Sequence, residues 1–150
     1  MPTMRPILLA EDNPNDIELT LTALHDANLA NEIAVVHDGT EALDWLLCRG
    51  KFAGRPTPPP ALVILDLKMP KLGGHEVLAQ MRASAELRTI PVVILTSSRE
   101  ESDLHKSYGL GANAYVVKPV DFDLFISAVS KLGVFWALLN EPPPVPKPTA

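Results

Sequence analysis

Short apolar runs alternate with longer amphipathic stretches along this chain of 150 residues. Five runs have the length and the β-branched content of buried strands. They are PILLA from Pro6, IAVV from Ile33, ALVIL from Ala61, PVVIL from Pro91 and AYVV from Ala114. Near-continuous apolar strands are expected where helices cover both faces of a sheet. The pattern therefore predicts a parallel sheet of five strands between two layers of helices.

The segments that separate and follow these strands carry apolar residues at helical spacing. The stripes are Ile17, Leu21 and Leu24; Leu43, Leu46 and Leu47; Val77, Leu78 and Met81; and, in the longest, Phe122, Phe125, Ile126, Val129, Leu132 and Trp136. Alternating strands and helices favour right-handed crossovers and a doubly wound sheet. The predicted fold class is α/β, with five strands and five flanking helices.

Size and composition fit one domain without a membrane span. The chain is 47% hydrophobic, yet no apolar stretch reaches the roughly 18 residues that a transmembrane helix needs. The opening MPTMRP lacks the architecture of a signal peptide, so we expect a cytoplasmic protein. A net charge of −5 without a basic patch argues against nonspecific nucleic-acid binding. The single cysteine, Cys48, excludes an internal disulfide and is interpreted as a structural thiol.

Two proline-rich segments are not expected to pack as helix or strand. Gly50 to Pro60, GKFAGRPTPPP, is predicted to form a loop between the second helix and the third strand. Glu141 to Ala150, EPPPVPKPTA, is predicted to form an extended, polyproline-like tail. We therefore expect one domain over residues 1–140 and a tail over residues 141–150.

Acidic, hydroxyl and basic residues follow the predicted strands. Glu11 and Asp12 come after the first strand, Asp66 after the third, Thr96 after the fourth and Lys118 after the fifth. Because ligands of open α/β sheets bind at the carboxyl ends of the strands, we expect these side chains to meet. Three carboxylates, a hydroxyl and an ammonium together suit a divalent cation and a phosphoryl group.

Each of these residues also has a purely structural interpretation. Glu11 or Asp12 could cap the first helix, and Asp66 alone could cap a helix or end a turn. Thr96 could be an ordinary β-branched strand residue, and Lys118 a plain strand exit. The four histidines lack the spacing of a metal site and are interpreted as surface or structural residues: His25, His37, His75 and His105.

The motifs LLAEDNPND, ILDLKMPKLGG, ILTSS and AYVVKP stand in an order and at separations that resemble the receiver domain of bacterial two-component response regulators. The resemblance covers roughly Pro6 to Leu132. It implies a flavodoxin-like receiver fold with the strand order 2-1-3-4-5, and it makes residues 1–140 a receiver domain.

The resemblance also implies a chemistry. Asp66 would accept a phosphoryl group from a phosphohistidine of a sensor histidine kinase and become an aspartyl phosphate. The cofactor would be Mg²⁺, bound directly by Asp12 and Asp66, mainly through water by Glu11, and by the main-chain carbonyl of Lys68. Asp66 would thus be both metal ligand and nucleophile.

Further roles follow from the same resemblance. Thr96 and Lys118 would contact phosphoryl oxygens, with Lys118 aimed inward by a cis bond to Pro119. When the Thr96 hydroxyl moves to the phosphoryl group, Tyr115 would turn inward and change the face formed by the fourth helix, fifth strand and fifth helix. The alternative for Tyr115 is a half-exposed aromatic residue on an edge strand.

Two positions are expected to adjust the lifetime of the phosphoryl group. Lys68 and Ser98 lie two residues beyond Asp66 and Thr96 respectively, where side chains in this fold border the phosphoryl group and the path of an attacking water. Changes there should alter hydrolysis more than Mg²⁺ affinity.

The chain ends about 18 residues after Leu132, which is too few for another domain, so a stand-alone receiver is expected. The loop from Gly50 to Pro60 and the ending GVFWALLNEPPP resemble single-domain regulators that pair with bacterial phytochromes, which are red-light-sensing histidine kinases. The expected partners are a sensor kinase of that type and a downstream protein that the sequence does not identify. Neither a nucleic acid nor a membrane is expected as a partner.

Two other functional classes remain open at this point. A Mg²⁺-dependent phosphohydrolase would use the same cation and nucleophile, but Lys68 stands where a second aspartate, two residues after Asp66, would serve as its acid. An interaction module that has lost phosphorylation would keep the fold and lose the site, yet every expected site residue is present. We therefore do not expect an enzyme beyond the protein's own phosphorylation and dephosphorylation.

The last apolar stripe continues beyond the point where a receiver has covered its sheet. It includes Phe135, Trp136, Leu138 and Leu139. Contiguous exposed apolar groups usually mark interaction sites, so we predict a homodimer through the fourth helix, fifth strand and fifth helix. The stiff proline tail would reach onto the partner. The alternative is that Trp136 and Leu139 fold back on their own domain.

Overall fold

The structure, a computed structural model, describes residues 5–26, 31–55, 59–118 and 123. Its strands are β1 (Ile7–Ala10), β2 (Ile33–Val36), β3 (Leu62–Leu65), β4 (Val92–Thr96) and β5 (Ala114–Val117). They form one parallel sheet in the order β2-β1-β3-β4-β5. The predicted fold class and strand order are confirmed.

Four helices lie within the described residues: α1 (Pro14–Asp26), α2 (Gly39–Leu46), α3 (Gly74–Ala83) and α4 (Glu101–Gly109). The fifth predicted helix, from Phe122 to Trp136, falls outside the described residues except at position 123. The proline tail, Pro119 and the predicted dimer residues fall outside them as well. In the described part of the chain, no helix has the length and apolarity needed to cross a bilayer.

Both faces of the sheet are buried, as the continuous apolar runs predict. Successive residues of a strand point to opposite faces, and β1 shows this clearly. Leu8 and Ala10 belong to the core that includes residues of α2 and α3, whereas Ile7 and Leu9 belong to the core against which α1 packs. Every residue of β1, β3 and β4 is buried.

The loop after α2 is held against that helix. The predicted loop from Gly50 begins with a 3-10 turn, Gly50–Phe52, which the sequence pattern did not indicate. The Arg55 guanidinium lies 3.7 Å from the centroid of the Trp45 ring, and its Nη2 donates to the Trp45 carbonyl at 2.8 Å. Nearby, Cys48 is half-buried. These contacts anchor the loop to α2 at Arg55.

One side chain of α3, that of Arg82, holds the segments that lead into the amino-terminal ends of β4 and β5. Arg82 donates from Nη1 to the Ile90 carbonyl at 2.8 Å and from Nη2 to the Gly111 carbonyl at 2.8 Å. Nη2 also donates to Asn113 Oδ1 at 3.0 Å. These bonds join α3 to the segments that enter β4 and β5.

Candidate functional site

Main-chain hydrogen bonds extend the sheet just past the carboxyl ends of its strands. The Glu11 amide donates to the Val36 carbonyl at 3.0 Å, and the Asp66 amide to the Ala10 carbonyl at 3.1 Å. The Lys118 amide donates to the Thr96 carbonyl at 2.8 Å. The residues directly after β1, β3 and β5 are therefore held by main-chain bonds like those of the strands, which is what a preorganised site requires.

Three carboxylates meet at this edge. One oxygen from each of Glu11, Asp12 and Asp66 can be chosen so that all lie within 4.8 Å of one another. Glu11 is 2% exposed and Asp66 is 6% exposed, whereas Asp12 is exposed to solvent. β1 and β3 are neighbours in the sheet, so the end of one strand lies beside the end of the other. The structure thus brings together the acidic residues that the sequence placed after these strands.

Lys118 points into this acidic cluster. Its ammonium nitrogen lies 3.2 Å from Asp66 Oδ2 and 2.9 Å from Asp16 Oδ2, and it also pairs closely with Glu11 Oε1. The Lys118 side chain is 9% exposed. A buried ammonium needs such partners, because an unpaired charge away from water is costly.

Burial and neighbouring charges shift the pKa values of two of these groups. Burial raises the pKa of Glu11 to about 7, with the Asp66 charge adding to the rise and the hydrogen bonds from Lys118 and the Asn13 amide opposing it. Burial opposes the charged form of Lys118, but its hydrogen bonds to Glu11 and Asp16 and the Asp66 charge outweigh this and raise its pKa. Lys118 is therefore charged at neutral pH, and Glu11 titrates near neutrality.

The first helix takes its cap from a different residue than the two acidic candidates. Asn13 Oδ1 accepts from the amides of Asn15 at 2.9 Å and Asp16 at 3.1 Å. Glu11 Oε2 accepts from the Asn13 amide at 3.1 Å, outside the helix. Because Asn13 supplies the cap, capping does not account for Glu11 or Asp12.

Thr96 ends β4, and Ser98 lies in the β4–α4 loop that follows. Thr96 is fully buried, and its Oγ1 accepts from the Ser98 amide at 3.3 Å. The Ser98 hydroxyl donates to Asp103 Oδ2 at 2.6 Å, which ties the loop to the first turn of α4. The Tyr115 hydroxyl donates to the Ser98 carbonyl at 3.0 Å. Ser98 therefore connects Thr96, Tyr115 and Asp103.

Tyr115 stands on an edge strand, as its structural interpretation assumed, and is half-buried. Its ring packs against the core that includes α2 and α3. Burial raises the pKa of its phenol, and an interaction with the Ser98 side chain, separate from the bond to the Ser98 carbonyl, opposes that rise. The ring therefore bridges β5 and the β4–α4 loop.

The loop after β3 is packed against α3. The Gly74 amide donates to the Leu67 carbonyl at 3.0 Å, and an added Cβ at Gly74 would overlap the Asp66 main-chain oxygen. Lys68 has an exposed side chain, and its amide lies 3.5 Å from Asp66 Oδ1. The approach of helix to loop fixes the main chain of Asp66.

The histidines lie away from the acidic cluster. His75 is half-buried, and its Nε2 lies 2.8 Å from Ser107 Oγ. His37 lies 3.6 Å from Glu41 and His105 lies 3.3 Å from Glu101, each on the surface. His25 is exposed. Within the described residues, the candidate metal cluster consists of carboxylates alone.

Two contacting residues were missed by sequence reasoning. Asp16 reads as an ordinary acidic residue in the first turn of a helix, where it suits the helix dipole. Its closeness in sequence to Glu11 and Asp12 was the available signal, because a residue in the first turn of α1 lies near the end of β1. Asp103 gave the same first-turn signal in α4, and its pairing with Ser98 depends on the path of the loop.

A divalent cation suits this donor set. Glu11, Asp12 and Asp66 offer hard oxygen ligands, which Mg²⁺ prefers. They carry three negative charges when ionised, against the single positive charge of Lys118. Asp12 lies open to solvent, so waters could complete a coordination shell. The chemistry of the residues therefore fits a Mg²⁺ or Mn²⁺ ion.

Comparison with known proteins agrees with this geometry. The chain is similar to the bacteriophytochrome response regulator AtBRR, with 62% identity, 93% of this chain and 100% of that chain covered, and a TM-score of 0.84. It is 35% identical to the response regulator Rcp1 of Synechocystis sp., with 87% of each chain covered. A Mn²⁺-bound structure of Rcp1 superimposes with a TM-score of 0.75, at 34% identity over 93% of this chain and 99% of that one.

A third relative is the cyanobacterial phytochrome response regulator RcpA, solved in its phosphorylated form. The two chains are 36% identical, with 89% of this chain and 94% of that chain covered and a TM-score of 0.75. Residues 7–130 match the response regulator receiver domain. This protein therefore belongs to the response regulator receiver family and is related to the phytochrome response regulators.

Proposed function

We propose that this protein is a response regulator that accepts a phosphoryl group on Asp66 from a sensor histidine kinase, with Mg²⁺ as cofactor. The observation that carries the proposal is the meeting of Asp66 with Glu11, Asp12 and Lys118 at one edge of the sheet. A carboxylate beside a cation site and a buried ammonium is suited to phosphoryl transfer, which depends on positioning and charge neutralisation.

In the transfer step, a carboxylate oxygen of Asp66 forms a bond to phosphorus. The P–N bond of the phosphohistidine breaks, and its electron pair returns to the imidazole, which takes up a proton. Charge spread over the transferred phosphoryl oxygens is stabilised by the Lys118 ammonium, which already lies 3.2 Å from Asp66 Oδ2. Thr96 is the last residue of β4, at the same edge, and would hydrogen-bond a phosphoryl oxygen.

Glu11, Asp12, Asp66 and the main-chain carbonyl of Lys68 would hold the Mg²⁺ ion. When bound, the ion would neutralise charge on the phosphoryl oxygens. The Mn²⁺-bound Rcp1 structure supports a divalent ion in this family. The low exposure of Glu11 and Asp66 strengthens every charge interaction among these groups.

Acetyl phosphate with Mg²⁺ tests the proposal without a kinase. The Asp66 oxygen attacks phosphorus, the bond from phosphorus to acetate oxygen breaks, and acetate leaves. We expect one phosphoryl adduct by intact mass. Continuous phosphate release from unrelated esters would indicate a hydrolase instead, and the absence of any reaction would indicate an interaction module that has lost phosphorylation.

Mg²⁺ affinity should rise with pH. Since the pKa of Glu11 is raised to about 7, the folded protein without metal holds a proton there that Mg²⁺ must displace. We expect Mg²⁺ to bind about tenfold more tightly at about pH 8 than at about pH 6, as calorimetric titration would measure. Glu11→Gln, which has no such proton, should bind Mg²⁺ more weakly, and its affinity should vary about twofold or less between these pH values. An equally steep profile in the variant would contradict the assignment to Glu11.

The raised pKa of Glu11 also makes the stability of the metal-free protein depend on pH. Stability should fall as pH rises, whereas Mg²⁺ affinity should increase. A carboxyl whose pKa is raised on folding binds more protons in the native state, so its contribution to the free energy of unfolding falls as pH rises. The window runs from the ordinary Glu value of 4.5 to about 7. Metal-free protein should therefore lose stability across this window, and Mg²⁺ should restore it.

The lifetime of the aspartyl phosphate should depend on Lys68 and Ser98. Lys68 is exposed, whereas Ser98 is 6% exposed and held by Asp103. We expect Lys68→Asn and Ser98→Glu to change the rate of autodephosphorylation about threefold or more while Mg²⁺ affinity changes less. Phosphate release after acetyl phosphate is removed gives the rate. Rates of the single and double variants within error of the parent would reject the idea.

We further propose that phosphorylation is read through Thr96 and Tyr115. The Thr96 hydroxyl accepts the Ser98 amide, and the Tyr115 hydroxyl donates to the Ser98 carbonyl. A phosphoryl group that hydrogen-bonds the Thr96 hydroxyl would release the bond between Thr96 and the Ser98 amide. The β4–α4 loop, which the Tyr115 hydroxyl holds through the Ser98 carbonyl, would then shift. Differential contact of this kind is what moves a two-state equilibrium.

The kinase partner that we favour is a phytochrome. The support is the 62% identity to a bacteriophytochrome response regulator over 93% of this chain. Phosphoryl transfer from a phytochrome histidine kinase to this protein should therefore differ between red and far-red illumination. Equal transfer in both light states, with an active kinase, would remove that partner.

We also propose a homodimer formed by a receiver domain over residues 1–140 and assisted by the tail over 141–150. The support is the apolar sequence that contains Phe135, Trp136, Leu138 and Leu139. Truncation after Leu132 should convert a dimer to a monomer in sedimentation, with circular dichroism as the check that the fold persists. Full-length protein that stays monomeric at high micromolar concentration would reject the proposal.

A further inference from the structure

The Lys118 ammonium is shared by carboxylates from three different elements. Glu11 follows β1, Asp66 follows β3, and Asp16 lies in the first turn of α1. Asp16 Oδ2 lies 2.9 Å from the Lys118 nitrogen, closer than Asp66 Oδ2 at 3.2 Å. Asp16 is not part of the carboxylate cluster that could hold a metal ion. Its contact with Lys118 is therefore unexplained by the metal site.

An ammonium group has three N–H donors and no acceptor. In this structure three carboxylates accept from Lys118, namely those of Glu11, Asp16 and Asp66. Every donor is therefore engaged before any phosphoryl group arrives. A phosphoryl oxygen can be bound by Lys118 only if one of these bonds is given up.

Asp16 is the partner that can be given up most readily. Its side chain is 29% exposed, against 2% for Glu11 and 8% for Asp66, so water can solvate the released carboxylate. While the phosphoryl group is still on its donor, Glu11 and Asp66 remain buried beside Lys118, and whichever of them lost this partner would be left as a poorly solvated charge. The exchange of Asp16 for a phosphoryl oxygen is therefore the least costly rearrangement.

We propose that Asp16 is a positioning residue that holds the Lys118 ammonium in the unphosphorylated protein and competes for it with the incoming phosphoryl group. The inference rests on the proposed function, because the competitor is the group transferred to Asp66. It assigns Asp16 a role in setting the rate of phosphoryl acceptance. A carboxylate that must be displaced slows that step.

Asp16→Asn tests this directly. The amide keeps the size of the side chain and one oxygen acceptor but loses the charge, and charge-assisted hydrogen bonds are roughly twice as strong as neutral ones. Lys118 keeps Glu11 and Asp66 as partners, so it stays in the site. We expect the initial rate of adduct formation with acetyl phosphate and Mg²⁺, followed by intact mass, to rise about three- to tenfold.

Glu18→Gln is the matched control. Glu18 lies on the same helix, is exposed, and is not among the carboxylates that contact Lys118 in the described part of the chain. The Glu18→Gln substitution removes one negative charge, as Asp16→Asn does. A rate within about twofold of the parent is expected, because a solvated charge away from the site is screened.

A double-mutant cycle separates an action through Lys118 from a general electrostatic effect. On a Lys118→Ala background, with adduct formation followed over hours, Asp16→Asn should change the rate about twofold or less. A rate increase that persists on this background would show that Asp16 acts by repulsion of the anion alone, and would overturn the inference.

A second readout needs neither metal nor phosphoryl donor. In EDTA, nitrogen-15 NMR of labelled lysine should show a Lys118 ammonium signal protected from exchange, and Asp16→Asn should shift it or broaden it. Glu18→Gln should leave it in place. An unshifted signal in Asp16→Asn would contradict the contact.

The outcomes are distinct. The inference is supported if adduct formation is faster in Asp16→Asn, is unchanged in Glu18→Gln, and is no longer accelerated by Asp16→Asn on the Lys118→Ala background. An equal or slower rate in Asp16→Asn overturns it while leaving phosphorylation at Asp66 intact. The absence of any adduct in the parent protein overturns the proposed function, and this inference with it.

Discussion

Asp66→Asn is expected to abolish the phosphoryl adduct and leave the fold intact. An amide cannot displace acetate or imidazole to form a stable acyl phosphate, so the adduct should fall below detection in intact-mass spectra after acetyl phosphate treatment. Asp66 follows β3 and packs no apolar volume into the core. The change therefore tests chemistry without a cavity.

The stability of this variant gives a second expectation. In the metal-free protein, Asp66 lies among two other carboxylates and one ammonium. Its removal relieves repulsion with Glu11 and Asp12 but costs a hydrogen-bonded charge partner of Lys118. We expect the midpoint of unfolding to change little or to rise in the absence of Mg²⁺. A full-strength adduct on folded Asp66→Asn would remove Asp66 as the acceptor.

Gly74→Ala is expected to lower both stability and the rate of phosphorylation. An added Cβ would overlap the Asp66 main-chain oxygen and come within 2.9 Å of Leu67 Cα. Main-chain atoms on two sides cannot rotate away as a flexible side chain would. The loop after β3 must then shift, at a cost of about 1–3 kcal/mol, and Asp66 shifts with it.

Gly109→Ala is the matched control for that variant. Gly109 ends α4, and an added Cβ there would meet none of the described atoms within 4 Å. Its free energy of unfolding should stay within about 1 kcal/mol of the parent, with alanine favoured in a helix. Denaturant unfolding measures the free energy of unfolding of both variants. If Gly74→Ala unfolds at the same denaturant concentration as Gly109→Ala, the close approach at Gly74 is not a constraint.

The strands could be predicted from the sequence because burial leaves a direct trace in it. Each strand of the sheet is a run of apolar residues, and β1, β3 and β4 are buried on both faces. The strand order came from family resemblance, since periodicity does not specify which strands are neighbours. The position of site residues at strand ends followed from the geometry of parallel sheets.

The fourth helix shows where periodicity stops being informative. α4 has one fully buried residue, Ser107, and it faces His75 rather than an apolar core. A polar contact between two helices leaves no stripe of apolar residues to detect. The existence of α4 was therefore expected only from the alternation of strands and helices.

Specific side-chain partners were the least predictable part of the site. Asn13, rather than Glu11 or Asp12, caps α1, because three adjacent residues all have capping chemistry and the chain path decides among them. The contact of Asp16 with Lys118 joins residues 102 positions apart. Such pairings depend on how the elements pack, which no local pattern records.

The measurement that tests the central claim most directly is the chemical location of the phosphoryl group. Protein treated with acetyl phosphate and Mg²⁺ is reduced with borohydride, which converts an aspartyl phosphate to homoserine, and the modified peptide is sequenced by mass spectrometry. Our account predicts homoserine at position 66 and unmodified aspartate at positions 12 and 16. Homoserine at another position, or an adduct that resists reduction, would contradict it.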